Sequence, residues 1–187
     1  MNPVYSLPNL LTLMRIVLIP IFVVVFYFPF DWAHGAAAVI FALASFTDWL
    51  DGYLARRLKQ MSPFGAFLDP VADKLLVATS LLLLVGAQEI NYITLPAIVI
   101  VGREIVISAL REWMAEVGSR ASVTVSYISK VKTTVQMLAL FLLLAFYPAT
   151  SYWGVLGFIL LYLAAILTIW SMVIYITIAW PQLTQKH

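Results

Sequence analysis

Four aspartates stand close together in a stretch of sequence that is otherwise apolar enough to enter lipid: Asp48, Asp51, Asp69 and Asp73. A carboxylate inside a bilayer is costly, so four in one short segment indicate a shared chemical purpose. The first two are three residues apart and the last two are four apart, so each pair shares one face of a helix. A turn between the two helices would bring the pairs together. Four converging carboxylates cannot all stay ionised without cations, and divalent metal ions are the simplest supply.

The kind of metal ion follows from the other candidate ligands. The chain has no cysteine and only two histidines, His34 and His187, so disulfides, thiolate chemistry and a Cys or His metal site are excluded. Oxygen ligands remain, and these favour Mg²⁺, Mn²⁺ or Ca²⁺ over Zn²⁺.

The composition predicts the elements that must position these carboxylates. Of 187 residues, 63% are hydrophobic and 11% are charged, and the polar surface of a soluble domain could not cover such a chain. We expect an all-α integral membrane bundle of six transmembrane helices that forms a single domain over residues 1–187. The predicted spans are 8–30, 33–59, 67–88, 92–117, 130–147 and 151–180, with a turn at 61–65 and a polar interval at 118–129.

The positions of the basic residues predict the orientation of the bundle. The three connections on one side contain Asp31, His34 and Glu89 but no Lys or Arg. The other side carries most of the cations: Arg56, Arg57, Lys59, Arg111, Arg120, Lys130, Lys132 and Lys186. By the positive-inside rule both termini lie in the cytoplasm, in a multi-pass protein of the cell membrane. The aspartates then lie in an intramembrane cavity that faces the cytoplasm.

The aspartates belong to a longer pattern, D-x2-D-G-x2-A-R-x8-G-x3-D-x3-D, which is typical of one family. Its fixed positions are Asp48, Asp51, Gly52, Ala55, Arg56, Gly65, Asp69 and Asp73. In this pattern, and along its whole length, the chain resembles the CDP-alcohol phosphatidyltransferases. The resemblance implies that a phosphatidyl group passes from CDP-diacylglycerol to an alcohol, with release of CMP. It also implies two divalent ions, Mg²⁺ or Mn²⁺, held by the aspartates, and a role for Asp73 as metal ligand or as base.

Physical chemistry supports those roles. Metal ions would offset the charge of a pyrophosphate, and a carboxylate such as that of Asp73 would accept the proton of the acceptor hydroxyl. The small residues Gly52 and Ala55 would let a nucleotide approach the helix, and Arg56 could bind phosphate. Simpler readings also exist, since small residues often serve helix packing and arginines often anchor a helix end. Asp69 before Pro70 is typical of a helix N-cap.

The N-terminal segment carries further candidates for the nucleotide site. The sequence NLLTLMR at residues 9–15 is similar to the N-x-L-T-x-x-R start of the family's first helix. Asn9 and Thr12 share a helix face and could meet the nucleotide or the metal-bound phosphates. Alternatively, Asn9 caps the helix and Arg15 extends towards the membrane surface.

Basic residues in the fourth and fifth spans indicate the acceptor. The candidates are Arg103, Arg111, Lys130 and Lys132, more cations than membrane anchoring requires. Because Arg103 lies well inside its span, it should face the cavity or pair with an acid. An acceptor that bears phosphate would explain these charges. The segments GREIVISALRE and SKVKTTVQ resemble bacterial members of the family that use sn-glycerol 3-phosphate. The alternative is binding of anionic lipid head groups.

Other functions remain possible on the sequence alone. The same chemistry could use another acceptor, such as inositol phosphate. A cation-coupled transporter would also carry intramembrane carboxylates, but it would need broken helices and pseudo-symmetric halves. Prenyl transferases use aspartate-rich metal motifs as well, but they lack the Gly-Ala-Arg positions. Family resemblance further implies a homodimer, for which Gly154 and Gly157 are the contacts that the sequence offers.

Overall fold

The computed structural model describes residues 7–58, 63–87, 92–116, 127–148 and 150–184. In these ranges the chain forms six α-helices and no β-strand, which confirms the predicted all-α class. The helices are α1 (Leu7–Phe26), α2 (Ala33–Leu58), α3 (Pro63–Gly86), α4 (Thr94–Glu116), α5 (Tyr127–Ala145) and α6 (Tyr152–Thr184).

Two helix starts differ from the sequence prediction. Helix α3 begins at Pro63 and not near residue 67, so the predicted turn at 61–65 is too long. Asp69 and Pro70 therefore lie inside α3, and the reading of Asp69 as an N-cap is wrong. The Asp-Pro pair is misleading because it is typical of helix starts, whereas here the helix continues through the proline. Helix α5 begins at Tyr127, within the predicted polar interval, of which residues 118–126 lie outside the described part.

Helix α1 packs against α2 and α3 through a face that changes character along its length. Successive buried positions are three or four residues apart, which is the spacing of one helix face. The face begins with polar side chains and continues with apolar ones: Asn9, Thr12, Arg15, Ile19, Phe22 and Phe26. The apolar half joins the main core, so α1 is fixed by packing at one end and by polar contacts at the other.

Helix α6 packs against α5 at a glycine and also contacts α4. A Cβ atom added at Gly157 would lie 2.9 Å from the Cβ of Leu142 and 3.2 Å from the carbonyl oxygen of Ala139. The absence of a side chain therefore permits this close approach. Because Gly157 is buried against α5 of the same chain, it is not available as a contact between two copies; Gly154 is buried as well.

The outer surface of the bundle is apolar. Large aliphatic side chains such as Leu82, Ile98 and Ile105 are more exposed than a soluble protein would favour, at 69%, 65% and 65%. Two helical segments, Asn9–Phe26 and Tyr152–Thr177, are long and apolar enough to cross a bilayer, each with a mean hydropathy of 2.4. These features fit a membrane protein.

Candidate active site

The centre of the acidic cluster is a buried arginine from α1. The Arg15 side chain is 0% exposed, and its Nη1 donates hydrogen bonds to Asp48 Oδ1 at 2.8 Å and to Asp73 Oδ1 at 3.1 Å. Its Nη2 donates to Asp51 Oδ2 at 2.5 Å. One guanidinium thus joins carboxylates from α2 and α3, and such charge-assisted hydrogen bonds are among the strong ones in proteins.

Thr12, one turn before Arg15, brings in the fourth carboxylate. Its Oγ1 lies 2.6 Å from Asp69 Oδ1 and 3.3 Å from Asp51 Oδ2. Asn9, one turn earlier on the same face, is also buried. The structure therefore gathers all four predicted aspartates around the first turns of α1, together with both predicted residues of the N-terminal segment.

The four carboxylates differ in their access to solvent. Asp51 is 3% exposed in its side chain, whereas Asp48 and Asp73 are 37% and 41% exposed. Asp51 is therefore enclosed by the protein, whereas Asp48 and Asp73 keep part of their side chains accessible.

The remaining positions of the motif lie on the same helices. Gly65 is buried in the first turns of α3. Gly52, Ala55 and Arg56 lie on α2 between Asp51 and the end of the helix, and the surroundings of these three side chains are outside the described part. Their expected contact with the nucleotide stays a prediction.

The donor set of the cluster fits a divalent ion, although the arrangement is centred on Arg15. Among the described residues, no three Asp, Glu, Cys or His side chains are arranged around a common point as around a bound ion. The carboxylates nevertheless supply only oxygen ligands, as Mg²⁺ and Mn²⁺ prefer. Their four formal negative charges exceed the single charge of Arg15, so the cluster retains the capacity to bind further cations.

A second polar cluster joins α4 and α5. Glu104 Oε1 accepts hydrogen bonds from Arg103 Nη1 at 2.9 Å and from Lys132 Nζ at 3.1 Å. Both cations are largely buried, so the expectation that Arg103 pairs with an acid is confirmed. Gln136, one turn after Lys132 on the same face of α5, is buried too.

The other two predicted acceptor ligands lie apart from this pair. The guanidinium carbon of Arg111 is 5.4 Å from the centre of the Tyr175 ring on α6, a cation–π contact. Lys130 is exposed on another face of α5, because two residues along a helix turn the side chain by about 200°.

Sequence reasoning missed two members of these clusters. The reading of Arg15 as a residue that extends to the membrane surface is wrong, since its side chain is fully buried among the aspartates. Glu104 was not predicted as the partner that joins Arg103 to Lys132. Charge balance in the sequence could have revealed both residues. An arginine inside a membrane span needs an acid as its partner, and a group of several acids needs a cation.

The matching family model, CDP-alcohol phosphatidyltransferase, spans residues 5–170, and the chain belongs to this family. This confirms the resemblance carried by the aspartate motif. The chain is also similar over nearly its whole length to curated proteins named CDP-diacylglycerol–glycerol-3-phosphate 3-phosphatidyltransferase. The protein of Pseudomonas fluorescens is 56% identical over 179 residues, which cover 95% of this chain and 92% of the relative.

Two further relatives with the same name show similar agreement. The protein of Pectobacterium atrosepticum is 56% identical over 175 residues, or 94% of this chain and 95% of the relative. The protein of Yersinia enterocolitica is 53% identical over 180 residues, or 96% and 98%. The names of these relatives agree with the acceptor that the basic segments predicted.

Proposed function

We propose that this protein transfers the phosphatidyl group of CDP-diacylglycerol to sn-glycerol 3-phosphate, releasing CMP and forming phosphatidylglycerol phosphate. The observation that carries the proposal is the convergence of the four motif aspartates around the start of α1. The names of relatives that are more than half identical support the choice of acceptor. A cation-coupled transporter is not favoured, because each helix is continuous over its described range.

Divalent cations, Mg²⁺ or Mn²⁺, would be held by Asp48, Asp51, Asp69 and Asp73. When bound, they would neutralise the pyrophosphate of the lipid nucleotide and the charge that builds on the departing phosphate. Thr12 contacts the cluster, and Asn9 and Gly65 lie one helix turn from Thr12 and from Asp69. These three residues would position the nucleotide, together with Gly52, Ala55 and Arg56 of the motif.

The role of the base falls to Asp73. Its carboxylate is among the more exposed of the cluster, so an acceptor hydroxyl can reach it. The hydroxyl proton passes to an Asp73 oxygen while the hydroxyl oxygen attacks the lipid-side phosphorus. The bond between that phosphorus and the bridging oxygen breaks, and CMP leaves with the bond's electron pair.

The acceptor phosphate would be held by the cluster on α4 and α5. Arg103 and Lys132 share one carboxylate oxygen of Glu104, so their positions are set before any ligand arrives. A phosphate offers three oxygens to cations that otherwise share a single partner. Arg111, whose guanidinium lies over the Tyr175 ring, would add a third positive charge, whereas the exposed position of Lys130 favours a role at the membrane surface.

The membrane setting follows from the charge distribution. We infer a multi-pass protein with both termini in the cytoplasm and an active site that opens to that side, because the basic residues lie on one side of the predicted spans. Both substrates then have a route, the lipid from the bilayer and glycerol 3-phosphate from water. We also propose a homodimer, on family resemblance.

A direct assay tests the reaction. Purified full-length protein in detergent is incubated with CDP-diacylglycerol, radiolabelled glycerol 3-phosphate and Mg²⁺ or Mn²⁺, and CMP and labelled lipid are measured. We expect both products in equal amounts and neither when the divalent ion is chelated. Inositol phosphate in place of glycerol 3-phosphate should give none. If CMP is released with inositol phosphate but not with glycerol 3-phosphate, the proposed acceptor is wrong. If no alcohol gives CMP release, the proposed reaction is wrong.

A further inference from the structure

Arg15 contacts three of the four carboxylates, yet the proposed reaction assigns it no task. We propose that Arg15 is the internal counter-ion of the acidic site: it holds Asp48, Asp51 and Asp73 in place when no divalent ion is bound, and it competes with that ion for their oxygens. The proposal rests on the proposed function in one respect, that divalent ions bind at these aspartates.

The contacts of Arg15 favour a counter-ion over a residue that merely fills space. Its side chain is fully buried, and both terminal nitrogens of the guanidinium are directed at carboxylates. Its Nε atom is buried and makes no hydrogen bond, so no neutral group shares in holding the side chain through that atom. A buried guanidinium is tolerated only where its charge is compensated, and here the compensation comes from the aspartates.

Conversely, the carboxylates depend on Arg15. Asp48 Oδ1 and Asp73 Oδ1 both bind Nη1, at 2.8 Å and 3.1 Å, so these two acids lie close together. Like charges at such a distance repel strongly in a partly buried site. With the guanidinium between them the acids keep their positions on α2 and α3. Arg15 is thus a positioning residue that acts through the aspartates.

A divalent ion and the guanidinium cannot both make full use of the same oxygens. Mg²⁺ and Mn²⁺ need ligand oxygens arranged around one point, whereas in the structure Asp48, Asp51 and Asp73 are directed at Arg15. Binding the ion must therefore weaken or displace some of the Arg15 contacts. The affinity of the site for the ion is set by the free energy of the new metal contacts minus that of the lost Arg15 contacts. Arg15 therefore lowers this affinity. The site would then fill most readily when a pyrophosphate supplies further ligands.

The test is the affinity for Mn²⁺ alone, measured by electron paramagnetic resonance on purified full-length protein in detergent without substrate. Arg15→Gln removes the competing charge, and we expect it to bind Mn²⁺ about tenfold more tightly than the unsubstituted protein. Arg111→Gln is the matched control, because it removes an arginine charge that lies over Tyr175 on α6. Its affinity for Mn²⁺ should stay close to that of the unsubstituted protein.

Two further variants make each result decisive. Arg15→Lys keeps the positive charge, but one ammonium cannot contact three carboxylates as a guanidinium does. We therefore expect this variant to bind Mn²⁺ about threefold more tightly than the unsubstituted protein. If Arg15→Gln does not fold, Arg15→Lys provides the test. Unchanged or weaker binding in the folded Arg15 variants would overturn the counter-ion role, since a merely structural arginine predicts that result. Asp51→Asn should lose Mn²⁺ binding. If it does not, or if the unsubstituted protein binds no Mn²⁺, the metal site itself is wrong.

Discussion

Residues of one type have different surroundings here, and these surroundings are the basis of the different roles that we propose for them. Asp51 is almost completely buried and contacts both Arg15 and Thr12. Asp73 contacts the same arginine but keeps 41% of its side chain exposed. A closed carboxylate is suited to holding a cation, whereas an open one can accept a proton from an arriving hydroxyl. The difference in exposure therefore supports the separate roles that we propose for two aspartates that the motif alone leaves equivalent.

We expect Asp73→Asn to lower kcat by about 10²–10⁴-fold, because an amide cannot accept the hydroxyl proton. Binding of CDP, measured by isothermal titration in the presence of Mn²⁺, should change little. Asp31→Asn, which alters an exposed aspartate just before the other end of α2, is the control and should keep normal activity. Near-normal turnover of Asp73→Asn would rule out the assignment of this residue as the base.

The acceptor site gives a second prediction at the same scale. Lys132→Gln should raise the KM for glycerol 3-phosphate by about 10-fold or more, because a charged hydrogen bond contributes about 1.5–3 kcal/mol. The KM for CDP-diacylglycerol should change little. Lys130→Gln removes the same charge from an exposed position two residues away and should have a much smaller effect. If both variants raise the KM equally, general attraction of the anion explains the result, and a specific contact does not.

At the scale of elements, α1 contacts the carboxylates of α2 and α3, and α6 packs along α5 and α4. The polar start of α1 reaches carboxylates on both α2 and α3, so this one helix sets the relative positions of the two halves of the motif. Helix α5 carries Lys132 near its start and packs against α6 at Gly157 two to three turns further along. A shift of α5 relative to α6 would therefore also move Lys132 relative to Glu104 and Arg103, the cluster that we propose to bind the acceptor phosphate.

Replacing Gly157 tests the packing of α6 against α5. Gly157→Ala places a methyl group within 2.9 Å of Leu142 Cβ, and we expect it to destabilise the protein by about 1–3 kcal/mol, as overpacking does. Thermal unfolding in detergent should show a lower Tm. Gly102→Ala is the control, since nothing lies within 4 Å of its added Cβ and alanine favours helix. Equal Tm values for the two variants would show that the α5–α6 contact is less tight than described.

The whole molecule is apolar outside and polar in two buried places. Exposed aliphatic side chains cover much of the described part of the bundle, while its buried charges pair within the acidic cluster or around Glu104. This is the reverse of a soluble protein, and it suits a bilayer, where unpaired charge is costly and apolar surface is not.

The orientation of the molecule can be tested because the natural sequence has no cysteine. A single cysteine at Arg57, on the basic side, should react with a membrane-impermeant maleimide only after the membrane is permeabilised. A single cysteine at Asp31, on the side without Lys or Arg, should react in intact spheroplasts. The reverse labelling pattern would place the active site on the other side of the membrane.

Much of this architecture was predictable from sequence, for identifiable reasons. The spans of α2 and α4 match the structure within two residues, because apolar runs end at charges or turn residues. The convergence of the aspartates followed from their spacing. The position of Arg15 did not, because burial of a charge depends on partners 33–58 residues away that no local pattern reveals. The start of α3 was missed since Asp69-Pro70 carries a helix-start signal that the fold overrides.

The burial of Arg15 also has a consequence for biosynthesis. Its partners are translated later, the last being Asp73, 58 residues further along. At about 5–20 residues per second, α1 waits about 3–12 s for them. During this time, placing the unpaired Arg15 in lipid costs about 2.5–3.5 kcal/mol of insertion free energy. We therefore expect α1 to be only weakly inserted in the membrane until α2 and α3 have been synthesised. Nascent chains truncated before Asp48 should be extracted by alkaline carbonate more readily than chains that include α3. Arg15→Leu should abolish that difference. If the short and the long nascent chains with Arg15 are extracted equally, α1 inserts into the membrane with its charge unpaired.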